Sequence, residues 1–209
     1  MKLTDRTFTD LLAAFRSSDP TPGGGSASAL AGAVGAALLA MVAGLPKPRA
    51  ATEDDIAKLR DAGENCTELC ERLRLLINYD SDAYDLVVSA YRMPKGTAEE
   101  KEERTTRIQR ALRVATETPL DVMRACVSAI DLAAVVASYG NQNASSDVRV
   151  ALELLMAGLR GAKYNVEINL GSVKDQEYVD DVREETENLL ARSNTNLQRD
   201  TAHDSRTTN

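Results

Sequence analysis

Tryptophan is absent from this 209-residue chain, and aromatic residues make up only 4% of it. A β-sandwich draws heavily on aromatic and β-branched side chains, so this scarcity favours helices packed through Ala, Leu and Val. Histidine is nearly absent too: the single one, His203, lies in the C-terminal tail, which leaves the chain without the ligands of a zinc site. Cysteine is sparse and odd in number. Cys66, Cys70 and Cys126, with no basic and apolar leader at Met1, point to a reducing, cytoplasmic setting and to thiols that serve packing. Basic charge is outweighed, with 25 Lys and Arg against 32 Asp and Glu and a net charge of −7. That balance argues against a nucleic-acid backbone as partner, since such binding rests on clustered cations.

Only one apolar run is long, Ala27–Leu45, and it nearly reaches the length needed to span a bilayer. Ala and Gly dominate it and Pro46-Lys-Pro-Arg follows, so it reads as a buried helix and not as a membrane anchor. Sustained period-two alternation is missing, and no repeat or domain linker interrupts the chain. The fold expected is all-α: a multi-helix up-and-down bundle with long helices, forming one domain over residues 1–192. Residues 193–209 read as a polar, frayed tail.

Helical spacing of Phe8, Leu11, Leu12 and Phe15 predicts a first helix over Thr4–Phe15. Pro20-Thr-Pro-Gly-Gly-Gly-Ser26 breaks it and leads into the small-residue helix from Ala27. Thr52, with Asp54 and Asp55, starts a very long helix that Pro94-Lys-Gly96 stops. Thr97-Ala-Glu-Glu100 is a capping box for the next helix, which Pro119 is expected to break or kink. A further helix is expected over Leu120–Tyr139, ending at Gly140. Ser145 or Ser146 is placed to cap a helix reaching about Leu170, and Asp175–Arg192 forms the last one.

Polar residues on apolar faces are the informative exceptions, because burying a polar group costs unless it is paired. Asp80 falls on the inner stripe of the long helix, after Leu73, Leu76 and Ile77 and one turn before Tyr84. It serves either as a functional carboxylate or as a cap or ion-pair partner for a neighbouring element. Asn165 and Asn169 share one face among Val166, Ile168 and Leu170. They suit hydrogen bonds to a heteroaromatic edge or to the backbone of the glycine-rich turn. Gly140-Asn-Gln-Asn-Ala-Ser-Ser-Asp147 carries more polar groups than helix capping needs. Gly23, Gly24, Gly25 and Ser26 present bare N–H groups at a helix start, a setting that favours negative charge. Lys95, in a tight loop, is either solvated or a clamp for a bound anion.

In their order along the chain these motifs resemble the cyclodeaminase/cyclohydrolase family of tetrahydrofolate enzymes. The resemblance is carried by Pro20–Gly25, Asp80-Ser-Asp-Ala-Tyr84, Met93-Pro-Lys-Gly-Thr-Ala-Glu-Glu-Lys101 and Ile108-Gln-Arg-Ala-Leu112. It continues through Thr116-Glu-Thr-Pro-Leu120, Gly140-Asn-Gln-Asn143, Ser146-Asp147 and Asn165-Val-Glu-Ile-Asn169. It implies a homodimer of helical subunits with a folate site near the glycine-rich turn and the subunit interface. It also implies no cofactor beyond tetrahydrofolate as substrate, and no metal. The activity implied is methenyltetrahydrofolate cyclohydrolase; formimidoyltetrahydrofolate cyclodeaminase and a non-catalytic folate-binding module are the alternatives. The residues assigned to catalysis are Asp80, Lys95 and Asp147. Those assigned to substrate binding are Gly23, Gly24, Gly25, Ser26, Tyr84, Asn141, Asn143, Asn165 and Asn169. One departure stands out: after the small-residue helix only Lys47 and Arg49 are basic, which bears on any hold on a polyglutamate tail.

Overall fold

The computed structural model describes residues 2–46 and 52–207, with side chains described up to Asn194. Lys47, Arg49 and most of the expected Pro46–Ala51 loop lie outside the described residues, as does the His203 side chain. Among the described residues six α-helices follow one another: α1 (Phe8–Phe15), α2 (Gly24–Gly44), α3 (Glu53–Tyr91), α4 (Ala98–Tyr139), α5 (Ser145–Leu170) and α6 (Gln176–Thr207). Short 3-10 turns at Leu3–Asp5 and Gln142–Ala144 complete the order, and no strand occurs among the described residues.

The capping box expected at Thr97 is present, and the helix start expected at Thr52 proves to be a second one. Thr52 accepts from the Asp55 N–H while Asp55 reaches back to the Thr52 N–H, and Thr97 and Glu100 do the same for α4. Four local expectations are corrected. The first helix does not begin at Thr4: a 3-10 turn precedes it, and Thr7 caps a helix starting at Phe8. The helix expected from Ala27 begins three residues earlier, with Gly23 as its N-cap. Neither Ser145 nor Ser146 caps α5, because Ala144 holds the N-cap position and Asn141 instead caps the preceding turn through the Asn143 N–H. The last helix does not stop at Arg192 but continues to Thr207.

Pro119 does not break α4 either. It sits buried inside one continuous helix. Proline has no N–H, so the carbonyl four residues back loses its helical donor. That carbonyl belongs to Ala115, and the Asn169 side chain on α5 donates to it at 2.6 Å.

The small-residue helix α2 lies at the centre, against α3 on one side, α5 on the other and α4 beneath. Its glycines are the points of closest approach. A Cβ on Gly32 would stand 2.7 Å from Cys126 Sγ of α4, and one on Gly35 would stand 2.8 Å from the Ala151 carbonyl of α5. The contacts also set direction. Gly25 meets Asp80 while Gly63 meets Ala43, so α3 runs antiparallel to α2. Gly24 meets Asn165 while Gly35 meets Ala151, so α5 does as well. Cys66 and Cys126 are buried and unpaired, and burial pushes both thiols up to about 12, consistent with packing roles.

Helix α6 docks on α4 in parallel. Tyr178 donates to Glu117, Glu185 accepts from Arg124, and Arg192 pairs with Asp131, a match that recurs every second turn on both helices. Val179, Val182, Thr186, Leu189 and Ser193 form the inward seam of α6, at the alternating spacing of a coiled-coil face.

Candidate active site

The site is built around the first turn of α2. Gly23 holds an extended backbone conformation, and its carbonyl accepts the first intrahelical bond, from the Ala27 N–H. No described glycine has a positive φ, so the triplet is not required by a left-handed backbone. Proximity requires it: a Cβ on Gly25 would fall inside the Asp80 carboxylate, and one on Gly24 would press at 3.4 Å on the Asn165 amide. The glycines let a side chain of α3 reach a helix start that any larger residue would cover.

Asp80 occupies that opening. Its Oδ2 accepts from the Ser26 backbone N–H at 2.8 Å and lies 2.9 Å from the Ser26 hydroxyl. Ser26 is fully buried, and its hydroxyl also reaches the Ile77 carbonyl at 3.0 Å. A hydroxyl has one proton to give. Donated to Ile77, it leaves the Ser26 oxygen to accept from a protonated Asp80; donated to Asp80, it supports the carboxylate. The carboxyl therefore has a bonded partner in either protonation state. Burial raises its pKa above the usual aspartate range, and the two Ser26 bonds pull it part of the way back. The other oxygen, Oδ1, accepts no hydrogen bond from the described residues. Asp80 thus caps α2 with one oxygen and leaves the second uncommitted.

Around it, the Ser28 hydroxyl donates to the Gly24 carbonyl at 2.7 Å, and Gly161 of α5 supplies the room, since a Cβ there would overlap that hydroxyl. The Asn165 amide donates to the Gly161 carbonyl at 2.8 Å and lies beside Gly24. On the other side of α3, Asn78 ties down the N-terminal turn, accepting from the Thr4 N–H and donating to the Thr4 hydroxyl.

The remaining candidates are placed as follows. Tyr84 is not on the buried stripe: it stands one turn past Asp80 and is 38% exposed, while Ala83, Val87 and Ala90 turn inward. Asp82 is exposed, on another face. Asn169 lies at the same end of the bundle, but its amide nitrogen is committed to the Ala115 carbonyl. Lys95 is exposed beyond the end of α3, which rises about 16 Å from Asp80 to Tyr91. The two side chains do not address one atom within the chain. Asn141, Asn143 and Asp147 gather at the opposite end of α2, where Asn141 donates to the Pro46 carbonyl at 3.2 Å. Between Asp147 and Asn165, α5 rises about 27 Å. The chain therefore brings together Gly23, Gly24, Gly25, Ser26, Asp80, Tyr84, Asn165 and Asn169. It holds Lys95, Asn141, Asn143 and Asp147 apart from them.

Sequence reasoning did not find the link between Asn169 and Pro119, nor Ser28 with Gly161. The signals were present: a proline inside a strong helical period demands a donor from outside, and paired small residues on facing helices mark close approach.

A helical bundle whose central helix opens on glycines and is capped by a carboxyl from the neighbouring helix defines the class. The chain belongs to the formiminotransferase-cyclodeaminase family, whose profile matches residues 7–188. It is 43% identical over 188 residues to a methenyltetrahydrofolate cyclohydrolase of Methylorubrum extorquens, covering 90% of this chain and 89% of that one. It is 33% identical over 174 residues to the formimidoyltransferase-cyclodeaminase of Sus scrofa, covering 83% of this chain but only 32% of that longer protein. Among solved structures, formiminotetrahydrofolate cyclodeaminase from Thermotoga maritima superposes with a TM-score of 0.82 at 29% identity, covering 93% of each chain.

Proposed function

We propose that this protein is a methenyltetrahydrofolate cyclohydrolase that converts 5,10-methenyltetrahydrofolate to 10-formyltetrahydrofolate. The observation that carries the reading is the near full-length match to a cyclohydrolase of the same size, together with a half-buried carboxyl at the glycine-rich start of α2.

The substrate carbon bridges N5 and N10 and carries cationic charge, so it is already electrophilic. Water adds to it and loses a proton. The bond from that carbon to N5 then breaks as a proton goes to N5 and the hydroxyl proton leaves, so that a formyl group stays on N10 and one proton is released overall. Two demands follow: negative charge near the cation and a group that takes and returns a proton. Asp80 supplies both. Its Oδ2 is held by Ser26, its Oδ1 is uncommitted, and burial raises its pKa, which makes it a stronger proton acceptor. Neither demand calls for a metal or a second cofactor; tetrahydrofolate enters as substrate. The Gly24 and Gly25 N–H groups, Tyr84 and the Asn165 amide border the pterin, and Lys95 holds an anionic part of the folate away from the reacting carbon.

A second reading, formimidoyltetrahydrofolate cyclodeaminase, is favoured by the Thermotoga maritima and Sus scrofa relatives. There N10 attacks the formimino carbon on N5 and ammonia leaves, which makes the same demands on Asp80. The two are separated by following the near-UV absorbance of methenyltetrahydrofolate and, in parallel, ammonia release from formimidoyltetrahydrofolate. Loss of the first signal without the second supports cyclohydrolase, and the reverse supports the deaminase. Binding of folate with neither signal would mark a non-catalytic module.

The reading extends to a cytoplasmic homodimer. Unpaired thiols support the compartment. An outward apolar face on α2 and α5 supports the dimer, with Val34, Met41, Tyr164 and Ile168 all exposed.

A further inference from the structure

A hydroxyl side chain inside a helix commonly donates to the carbonyl four residues back. In α3 and α4, Thr67, Thr105, Thr116, Thr118 and Ser128 all do so. Ser81, the residue after Asp80, does not. Its Oγ is buried and has no hydrogen-bond partner among the described residues. Leaving a buried hydroxyl unpaired costs free energy, so the exception needs a cause. The carbonyl four residues back from Ser81 is that of Ile77, and Ser26 of α2 already reaches it at 3.0 Å. The same Ser26 hydroxyl lies 2.9 Å from Asp80 Oδ2. One carbonyl thus has two claimants, and one of them also serves the carboxyl.

We propose that Ser81 is a positioning residue for Asp80: its hydroxyl takes the Ile77 carbonyl when Ser26 turns its proton to the ionised carboxylate, and yields it when the carboxyl is neutral. A carboxylate is a stronger acceptor than a peptide carbonyl, so Ser26 donates to Asp80 while it is charged. Ile77 is then free, and Ser81 reaches it by rotating about its Cα–Cβ bond. Once Asp80 takes up a proton, Ile77 becomes the better acceptor, Ser26 turns back, and Ser81 is left unpaired. Both serines keep their protons throughout; only the hydroxyls rotate. Ser81 therefore has a bond in the ionised state that it lacks in the neutral one, and it favours the form of Asp80 that can accept a proton. The part this plays in turnover rests on the folate reading above, whereas the exchange itself belongs to the folded chain.

No charged group competes for this control. Helix α2 carries no titratable side chain over Gly24–Gly44. On α5, Lys163 and Glu167 flank Asn165 and pair with each other. Asp82 and Asp85 of α3 are exposed, as is Asp5, while Arg6 before α1 is half-buried. On α4, Arg113 pairs with Asp175, and Glu117 is bonded to Arg124 and Tyr178. Burial and the two Ser26 bonds are the causes of the Asp80 shift.

Wild type, Ser81→Ala, Ser26→Ala and the double variant test the exchange. The Asp80 carboxyl is followed by carbon-13 NMR in the free protein, its signal identified by its loss in Asp80→Asn. Ser81→Ala is expected to move the titration midpoint to higher pH, because only the ionised state loses a bond. On the acidic limb of the pH–rate profile its rate, relative to its own plateau, should fall about 2- to 10-fold below wild type, the factor that one hydrogen bond of ordinary net strength supplies. In the Ser26→Ala background Ser81 keeps Ile77 in both states, so the same change should move neither readout. Ser81→Thr retains the hydroxyl and should titrate as wild type does. An unmoved midpoint in Ser81→Ala, or an equal shift with and without Ser26, overturns the proposal. Were the wild-type protein to turn over neither folate substrate, the functional reading would fall while the NMR titration still decided the exchange.

Discussion

Asn169 on α5 donates its amide to the Ala115 carbonyl on α4, the carbonyl that Pro119 strips of its helical donor. The helical donor that the proline lacks is thereby replaced by a side chain from another helix, and α4 runs unbroken through the level at which Asp80 meets α2.

This pairing predicts a coupled mutational effect. Asn169→Ala leaves a buried carbonyl unsatisfied and is expected to cost about 1–3 kcal/mol in urea unfolding. Pro119→Ala restores the missing N–H, so in that background the same change should cost much less. Equal costs in both backgrounds would show that the bond does not compensate for the proline.

Ser26→Ala removes one of the two bonds that lower the Asp80 pKa while keeping the backbone bond. The acidic limb of the pH–rate profile should move to higher pH. Gly25→Ala should be more damaging, because its Cβ displaces the carboxylate itself. A rate loss of about 10²-fold or more is expected, within the range for a mispositioned proton-transfer group, with helical content retained by circular dichroism.

Stability should depend on pH through the same group. The folded-state pKa of Asp80 is raised, so the folded protein binds its proton more readily than the unfolded chain does. The favourable contribution is complete below the unfolded aspartate value and is lost as pH rises through the folded value. Asp80→Asn should therefore gain stability relative to wild type across that window and hold a constant difference on either side. Paired denaturation curves over that range provide the check.

Arg124 joins α6 to α4, bonding Glu185 through two nitrogens and reaching Glu117 and Asp121 with a third. Its carboxylate partners hold its pKa above the ordinary arginine value. Because the side chain is about a third exposed, Arg124→Met is expected to cost only about 1 kcal/mol. It should make α6 the first segment cut in limited proteolysis, and wild type should show the same weakness at high salt.

Much of this architecture was legible in the chain. Thr52 and Thr97 announced two helix starts, Gly140 one end, and the paucity of aromatics an all-helical core. Asp80 was legible because a carboxylate interrupted an apolar stripe. Pro119 misled because a local rule was overridden by a distant residue, Asn169, whose contact no spacing pattern encodes. The place of Tyr84 off the buried stripe was not legible, because the inner stripe rotates past Asp80 toward Ala83 and Ala90. The separation of Asp147 from Asp80 was invisible because order along a chain does not reveal which end of a long helix a loop will meet.

What matters most is whether the Asp80 carboxyl performs the proton transfer. Turnover of 5,10-methenyltetrahydrofolate by Asp80→Asn, followed by loss of near-UV absorbance at saturating substrate, addresses it directly. A fall in kcat of about 10²–10⁴-fold with folate binding intact is the expected result. A kcat equal to that of wild type would contradict the account.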